Sequence, residues 1–234
     1  MRDLRDDLDE LWRASGRLTS EKGAKSLLFM SPSVGAGTSS VAASFAMIAA
    51  ARAKRTTWLV DLDLQNNPVI DAFQERFAVG IGRPGRAYDA SFGVMPFFDV
   101  RKSGKIGGKP ALRTGKLLSA HQVEGTRLLI TRFRNERLAQ DEDVKLTPRE
   151  EWWEVLRRSA DWVVVDAPSI EESTAGLAIA SQMDGVILVV KSDQVQTSQI
   201  TSLKREIEAA NGHVLGVVMN KLRGDSLLAD RLTG

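Results

Sequence analysis

The sequence predicts an α/β protein: a doubly wound, mostly parallel sheet with helices on both faces. Three observations predict it. Short, β-branched apolar runs alternate with longer helical patterns along the chain, as in repeated βαβ units. Those runs have the composition of strands covered on both sides. Finally, the run "SLLFM" leads through a Gly-rich turn, "SPSVGAGTSS" (31–40), into the apolar helix-like stretch "VAASFAMIAAARA". With 234 residues, 43% hydrophobic and 26% charged, the chain reads as a single domain, 1–234, large enough to bury a substantial core.

The elements follow in order. Residues 1–20 hold a charged, helical start (3–15). The strands are expected at 26–30, 56–63 ("TTWLVDLD"), 126–131 ("TRLLIT"), 161–167 ("DWVVVDA"), 185–192 ("GVILVVKS") and 213–220 ("HVLGVVMN"). Helices fill the intervals at 39–53, 68–77, 148–159, 172–182 and 197–211. Pro68, the Thr147 and Pro148 pair with Glu150 behind it, and Thr197 are sensible helix starts. In "EEWWEVLRR" at least one of Trp152 and Trp153 is expected to pack on the sheet. Residues 79–116 break the rhythm and are expected to form a long, basic, Gly-rich loop. Its cations, Arg83, Arg86, Arg101, Lys102, Lys105, Lys109, Arg113 and Lys116, leave two readings open: a solvated loop, or a surface for phosphates or an acidic partner.

Composition excludes several classes. The net charge of +2 from 32 basic and 30 acidic residues does not describe a nucleic-acid-binding surface. The absence of cysteine removes disulfides, thiolate nucleophiles and cysteine zinc sites, and makes the cytoplasm the expected location. The charged N-terminal stretch is not a secretory signal, and the most apolar window falls far short of the roughly 20 residues that span a bilayer. No direct membrane insertion is expected, so membrane contact has to go through a partner. His121 and His213 form no ligand pattern, and no serine sits in a G-x-S-x-G elbow.

The turn at 31–40 carries the chemistry. Gly35 and Gly37 allow a tight turn that brings backbone N–H groups to a phosphate, and the following helix offers its positive end. Against the phosphate-loop pattern GxxxxGK[ST], Pro32 takes the place of the first glycine and Thr38 that of the lysine, while Gly37 and Ser39 match. Two further segments end in carboxylates: "LVDLD" in Asp61 and Asp63, and "VVVDAPS" with Asp166. At the carboxyl ends of parallel strands these converge on the edge where such sheets bind ligands. Ser39, Asp61 and Asp166 could complete or support a Mg²⁺ shell of one or two carboxylates, a hydroxyl and phosphate oxygens. Each aspartate alone is equally readable as a helix cap or turn residue.

In this order, with "GVVMNK" near the end, the motifs resemble those of the MinD/ParA-type P-loop ATPases. "SPSVGAGTSSVA" with "LVDLDLQNNP" is more closely similar to the bacterial tyrosine kinases (BY-kinases) of exopolysaccharide and capsule synthesis, and the likeness covers nearly the whole chain. The resemblance implies a P-loop fold binding ATP or ADP with Mg²⁺. It implies loop contacts from Gly35, Ala36, Gly37, Thr38, Ser39 and Ser40, catalytic carboxylates at Asp61, Asp63 and Asp166, and adenine-edge reading by Asn220. A strand-ending turn asparagine is the other reading of Asn220. It also implies a membrane polysaccharide co-polymerase as partner, and homo-oligomers assembled through a Glu-x-x-Arg-x-x-Arg helix. Here Glu10 and Arg13 match that pattern, the third place is Gly16, and Arg17 follows one residue late.

The departures shape the functional expectation. Thr38 replaces the loop lysine, Ala36 the loop glutamate, Gln65 the arginine of DxDxR and Ser169 the last proline of DxPP. The second lysine of MinD-type loops meets Ser33. Phosphoryl transfer depends on charge stabilisation, so the loss of lysine predicts weakened nucleotide binding and impaired catalysis. The kinases' C-terminal tyrosine cluster is absent too, the one tyrosine being Tyr88. The expectation is a catalytically impaired regulatory partner in polysaccharide synthesis and export. Its alternatives are an active Mg-ATP-dependent enzyme with a substitute cation, and a MinD/ParA-like positioning ATPase.

Overall fold

The computed structural model describes residues 1–21, 23–102, 116–192 and 197–220. Along these the chain forms α1 (Asp9–Ser15), β1 (Lys25–Met30), α2 (Thr38–Arg52), β2 (Thr56–Asp61), α3 (Pro68–Glu75), β3 (Pro84–Asp89), β4 (Phe98–Lys102), β5 (Leu118–Val123), β6 (Leu128–Phe133), β7 (Glu142–Leu146), α4 (Glu150–Ser159), β8 (Ala160–Asp166), α5 (Ala175–Ala180), β9 (Gly185–Lys191), α6 (Thr197–Ala209) and β10 (Val214–Asn220). Eight strands make one sheet, ordered β10-β9-β1-β8-β2-β6-β5-β3. The six expected strands run parallel from β10 to β6, and β5 joins antiparallel to both β6 and β3.

Alternation along each central strand builds two cores. Leu27 and Phe29 of β1, Leu59 of β2, Trp162 and Val164 of β8 and Ile187 of β9 face α2, α3 and the N-terminal residues Leu4 and Leu8. Leu28, Met30, Val60, Val163, Val165 and Leu188 face α4, α5 and α6. Helix α2 is buried on nearly every residue; its alanines bring the backbone close to the sheet, and Phe45 fills the gap between Phe29 and Trp162 at ring distances of 5.6 and 5.5 Å. Among the described residues no helix is long and apolar enough to cross a membrane.

Three expectations need correction. The start is a 3₁₀ turn (Arg5–Asp7) followed by a short α1, because burial of Leu4 and Leu8 and the bond from Leu4 N–H to Ser44 Oγ (2.9 Å) bind the segment to α2. Helix α5 starts at Ala175 rather than 172, since the amides of Glu172 and Ser173 both close on the Ser169 carbonyl at 3.0 Å. The 79–116 stretch is not one loop: β3 and β4 lie within it. Residues 103–115, with Lys105, Lys109 and Arg113, fall outside the described residues, as does the tail from 221 onward. Arg101 and Lys102 pair with Asp99 and Asp141.

Strands β4 and β7 form a separate antiparallel ribbon. Phe97 and Phe98 fasten it to the main core, with Phe97 4.7 Å from the Trp152 ring and 5.0 Å from that of Trp153. Buried Asp99 takes a 2.6 Å ion pair from Arg149, whose guanidinium also donates to the carbonyls of Pro96 and Phe98. Both Trp152 and Trp153 are fully buried, and Trp152 Nε1 donates to the Ala90 carbonyl at 2.7 Å. Replacing Trp152 removes ring contacts and orphans that carbonyl. Trp152→Ala is therefore expected to lower stability by about 3 to 5 kcal/mol, measurable by urea unfolding.

Candidate functional site

Strand β1 delivers the chain into the loop at Ser31. Gly35 (φ +75°) and Gly37 (φ +88°) take left-handed backbone conformations that side-chain-bearing residues rarely adopt. At Gly35 a Cβ would meet nothing within 4 Å, so the backbone angle rather than space selects glycine. Gly37 caps α2, and its carbonyl receives the amides of Ser40 and Val41 at 3.0 and 3.1 Å. No side chain caps α2 and its first turn has no acid, so its leading N–H groups and dipole remain for an anion.

The carboxylates come from the two strands beside this loop. In the sheet register Asp61 of β2 stands opposite Asp166 of β8, and Asp166 opposite Phe29 of β1. Thr131 Oγ1 accepts the Asp61 amide at 3.0 Å and fixes the end of β2 against β6. Asp61 is buried, with Oδ1 accepting the Asp63 amide (2.9 Å) and Oδ2 that of Val69 in the first turn of α3 (3.1 Å). It thus caps a helix as well as facing the cleft. Asp63 accepts from the amide and side chain of Asn66 at 3.0 to 3.1 Å. Asp166 is buried, the Ser39 hydroxyl acts on its carboxylate, and its Oδ1 has no partner among the described residues.

These residues line one cleft of about 330 Å³. Gly35, Ala36, Gly37, Thr38, Ser39, Ser40, Asp61, Asp63 and Asp166 are all on its wall, joined by Met1, Ser169 and Glu172. No lysine or arginine lines it among the described residues. Two residues have additional local roles. Ser40 Oγ accepts the Arg2 amide at 3.0 Å, which ties the N-terminal segment over the start of α2. Asn220, at the end of β10, is not on the wall; its Nδ2 donates to the Ala36 carbonyl at 2.8 Å and braces the loop from behind. Sequence reasoning missed Glu171, whose Oε2 accepts the Val34 amide at 2.9 Å. Its signal was present in "APSIEES", where two acids follow Asp166 at five and six residues' distance.

Only part of a metal shell is built by the protein. The Ser39 hydroxyl and the unpartnered Asp166 oxygen fit a hard cation that takes its other ligands from phosphate and water, with Asp61 alongside. No group of three or more acidic, histidine or cysteine side chains suited to hold a metal occurs among the described residues.

No family model matches the chain, and no curated protein does. Solved structures do. The kinase domain of the Escherichia coli tyrosine kinase ETK matches with a TM-score of 0.57 at 14% identity, covering 94% of this chain and 73% of that one. The VpsO kinase domain matches with 0.56 at 18% identity, covering 95% and 100%. A plasmid partition protein from Borrelia burgdorferi gives 0.54 at 16% identity, covering 90% and 86%. The chain therefore shares the α/β fold of these kinase domains and of the partition protein.

Burial, and then the neighbouring Asp63 charge, push the Asp166 carboxyl up to about 7 against the opposing Ser39 hydrogen bond; burial and the Asp166 charge raise Asp61 well above its ordinary range. The folded, metal-free protein then holds protons that the unfolded chain has released. Stability from this pair is complete below about pH 4 and is lost as pH rises through about 7. The melting temperature of the metal-free protein should fall between pH 5 and pH 8, and Asp166→Asn should flatten that slope. Equal slopes in the two proteins would remove the assignment.

Proposed function

We propose that this chain is a Mg-nucleotide-binding P-loop protein of BY-kinase type with impaired phosphoryl transfer. It would serve as a regulatory partner in exopolysaccharide or capsule synthesis, recruited to the inner membrane face by a co-polymerase. The observation that carries the reading is the Ser39 and Asp166 pair, with its unpartnered carboxylate oxygen, beneath a glycine-turned loop whose lysine position is Thr38.

Each residue's part follows from its place. The α2 amides from Thr38 onward orient the phosphates. Ser39 and Asp166 would hold Mg²⁺, which when bound supplies charge neutralisation at the phosphate oxygens. Asp61 caps α3 and holds Asp63 at the cleft through the Asp63 amide. Thr38 cannot reach forward as a cation, so ground-state binding is weakened and transition-state charge is left without its lysine. Kinase domains among the structural neighbours support the kinase-type reading, and the resemblance of the motifs to the polysaccharide kinases supports the pathway assignment.

One observation favours a second reading, an active enzyme with a substitute cation. Lys145 of β7 lines an adjoining cleft that shares Asp63, Pro168 and Glu172 with the first. Hydrolysis by the natural protein that disappears in Lys145→Ala would establish it.

Calorimetric titration with ADP and a non-hydrolysable ATP analogue in excess Mg²⁺ tests the main reading. The natural protein should bind weakly, and Thr38→Lys should bind about tenfold tighter, as a charge-assisted hydrogen bond provides. Silence in both proteins would make the loop a structural remnant. Asp166→Asn should remove the Mg²⁺ dependence of binding.

A further inference from the structure

Two serines one turn apart on α2 hold the N-terminal segment by its backbone. Ser40 Oγ accepts the Arg2 amide at 3.0 Å, and Ser44 Oγ accepts the Leu4 amide at 2.9 Å. The two spacings agree, because two residues of extended chain advance about 6.6 Å and four residues of α-helix about 6 Å. Alternate amides of the segment therefore meet successive turns of the helix. Leu4 and Leu8 are buried in the core that α2 shares, and Arg76, at the end of α3, donates from Nη1 to the Met1 carbonyl at 3.3 Å. Residues 1–8 thus form a strap laid along α2.

The strap reaches the candidate site, since Met1 and Ser40 both line the 330 Å³ cleft. Ser40 is buried, and its hydroxyl can accept through its lone pairs and donate one proton. The Arg2 amide occupies the accepting side. The proton meets no acceptor among the described residues. It belongs to the first turn of α2, whose leading N–H groups have neither a side-chain cap nor an acid beside them. An anion drawn to those amides supplies the acceptor that the hydroxyl lacks.

We infer that the strap is a positioning element of the anion site: the Arg2 amide fixes the Ser40 hydroxyl as a donor toward the cleft, so that strap docking and phosphate binding reinforce each other. This deepens the nucleotide reading proposed above and rests on it. With the strap off α2 the hydroxyl is free to rotate, and its proton turns back to a carbonyl of the preceding helical turn, as serines in helices do. The coupling is reciprocal, so an anion on α2 holds the strap more tightly. Drawing residues 1–8 off the helix lowers the affinity of the site, which makes them the handle by which it is regulated.

The test is calorimetric titration of the full chain with ADP in saturating Mg²⁺, comparing the natural protein with Arg2→Pro, Arg2→Ala and Ser40→Ala. Proline removes the amide proton and alanine keeps it, so this pair separates the backbone bond from the arginine side chain. Arg2→Pro should bind ADP about fivefold more weakly than Arg2→Ala, as the loss of one hydrogen bond gives. Ser40→Ala should also bind more weakly than the natural protein, and adding Arg2→Pro to it should cost nothing further, because both act through one hydroxyl. A strap that only stabilised the fold would lower the unfolding midpoint of Arg2→Pro and leave affinity alone. Hydrogen exchange of the Leu4 amide, followed by NMR in the natural protein, should slow when ADP is added. Equal affinities in Arg2→Pro and Arg2→Ala, or a Leu4 amide indifferent to ADP, overturn the inference and leave the nucleotide site standing. Binding of ADP by none of these proteins overturns both.

Discussion

The pairing of Asp61 with Asp166 across β2 and β8 is the constraint on which the site depends. Adjacent parallel strands lie about 4.8 Å apart, and in-register residues point to the same side, so two carboxylates are held as neighbours in a buried place. No rotation of a loop can relieve that juxtaposition, because β8 is clamped between β1 and β2 along its length. The sheet keeps an unfavourable pair of charges at the point where the glycine loop leaves β1. Arrangements of this kind are a mark of functional sites.

The electrostatics of the cleft follow from that choice. Four carboxylates, Asp61, Asp63, Asp166 and Glu172, face a wall whose compensating positive groups are backbone N–H dipoles rather than lysine or arginine side chains. Such dipoles orient an anion well but carry only fractional charge. An anionic ligand is therefore matched to this cleft mainly as a complex with a cation. On the proposed reading, the glycine-turned loop and the acidic wall would be two halves of a site that a metal joins.

The parallel core was legible because its strands are apolar on successive residues: "WVVVD" and "GVILVV" announce burial on both faces. The loop and its carboxylates were legible as spacing. What escaped notice lacks that signal. Strand β3, "PGRAYD", is mostly solvent-exposed on the sheet edge, and β7, "EDVKL", alternates charge with apolar side chains. These strands owe their formation to partners, β5 and β4, and to the aromatic cluster beneath the ribbon, which no local pattern contains. Within the site, the glycines and aspartates could be placed from their order. The bonds from Asn220 to Ala36, from Arg2 to Ser40 and from Val34 to Glu171 join residues far apart in sequence, and only the fold creates them.

The place of β1 in the sheet also governs when the molecule can come into being. Its two neighbours are β8 and β9, so the strand that launches the glycine loop has no hydrogen-bonding partner until the chain beyond residue 160 has been made. Through most of vectorial synthesis the apolar run Leu27–Met30 waits without its ladder while β2 and β6 can already pair with each other. Such long-range closure is slow and exposes apolar surface in the interim. The glycine loop is thus shaped late, by the last third of the sequence, and the apolar first third stays exposed until then.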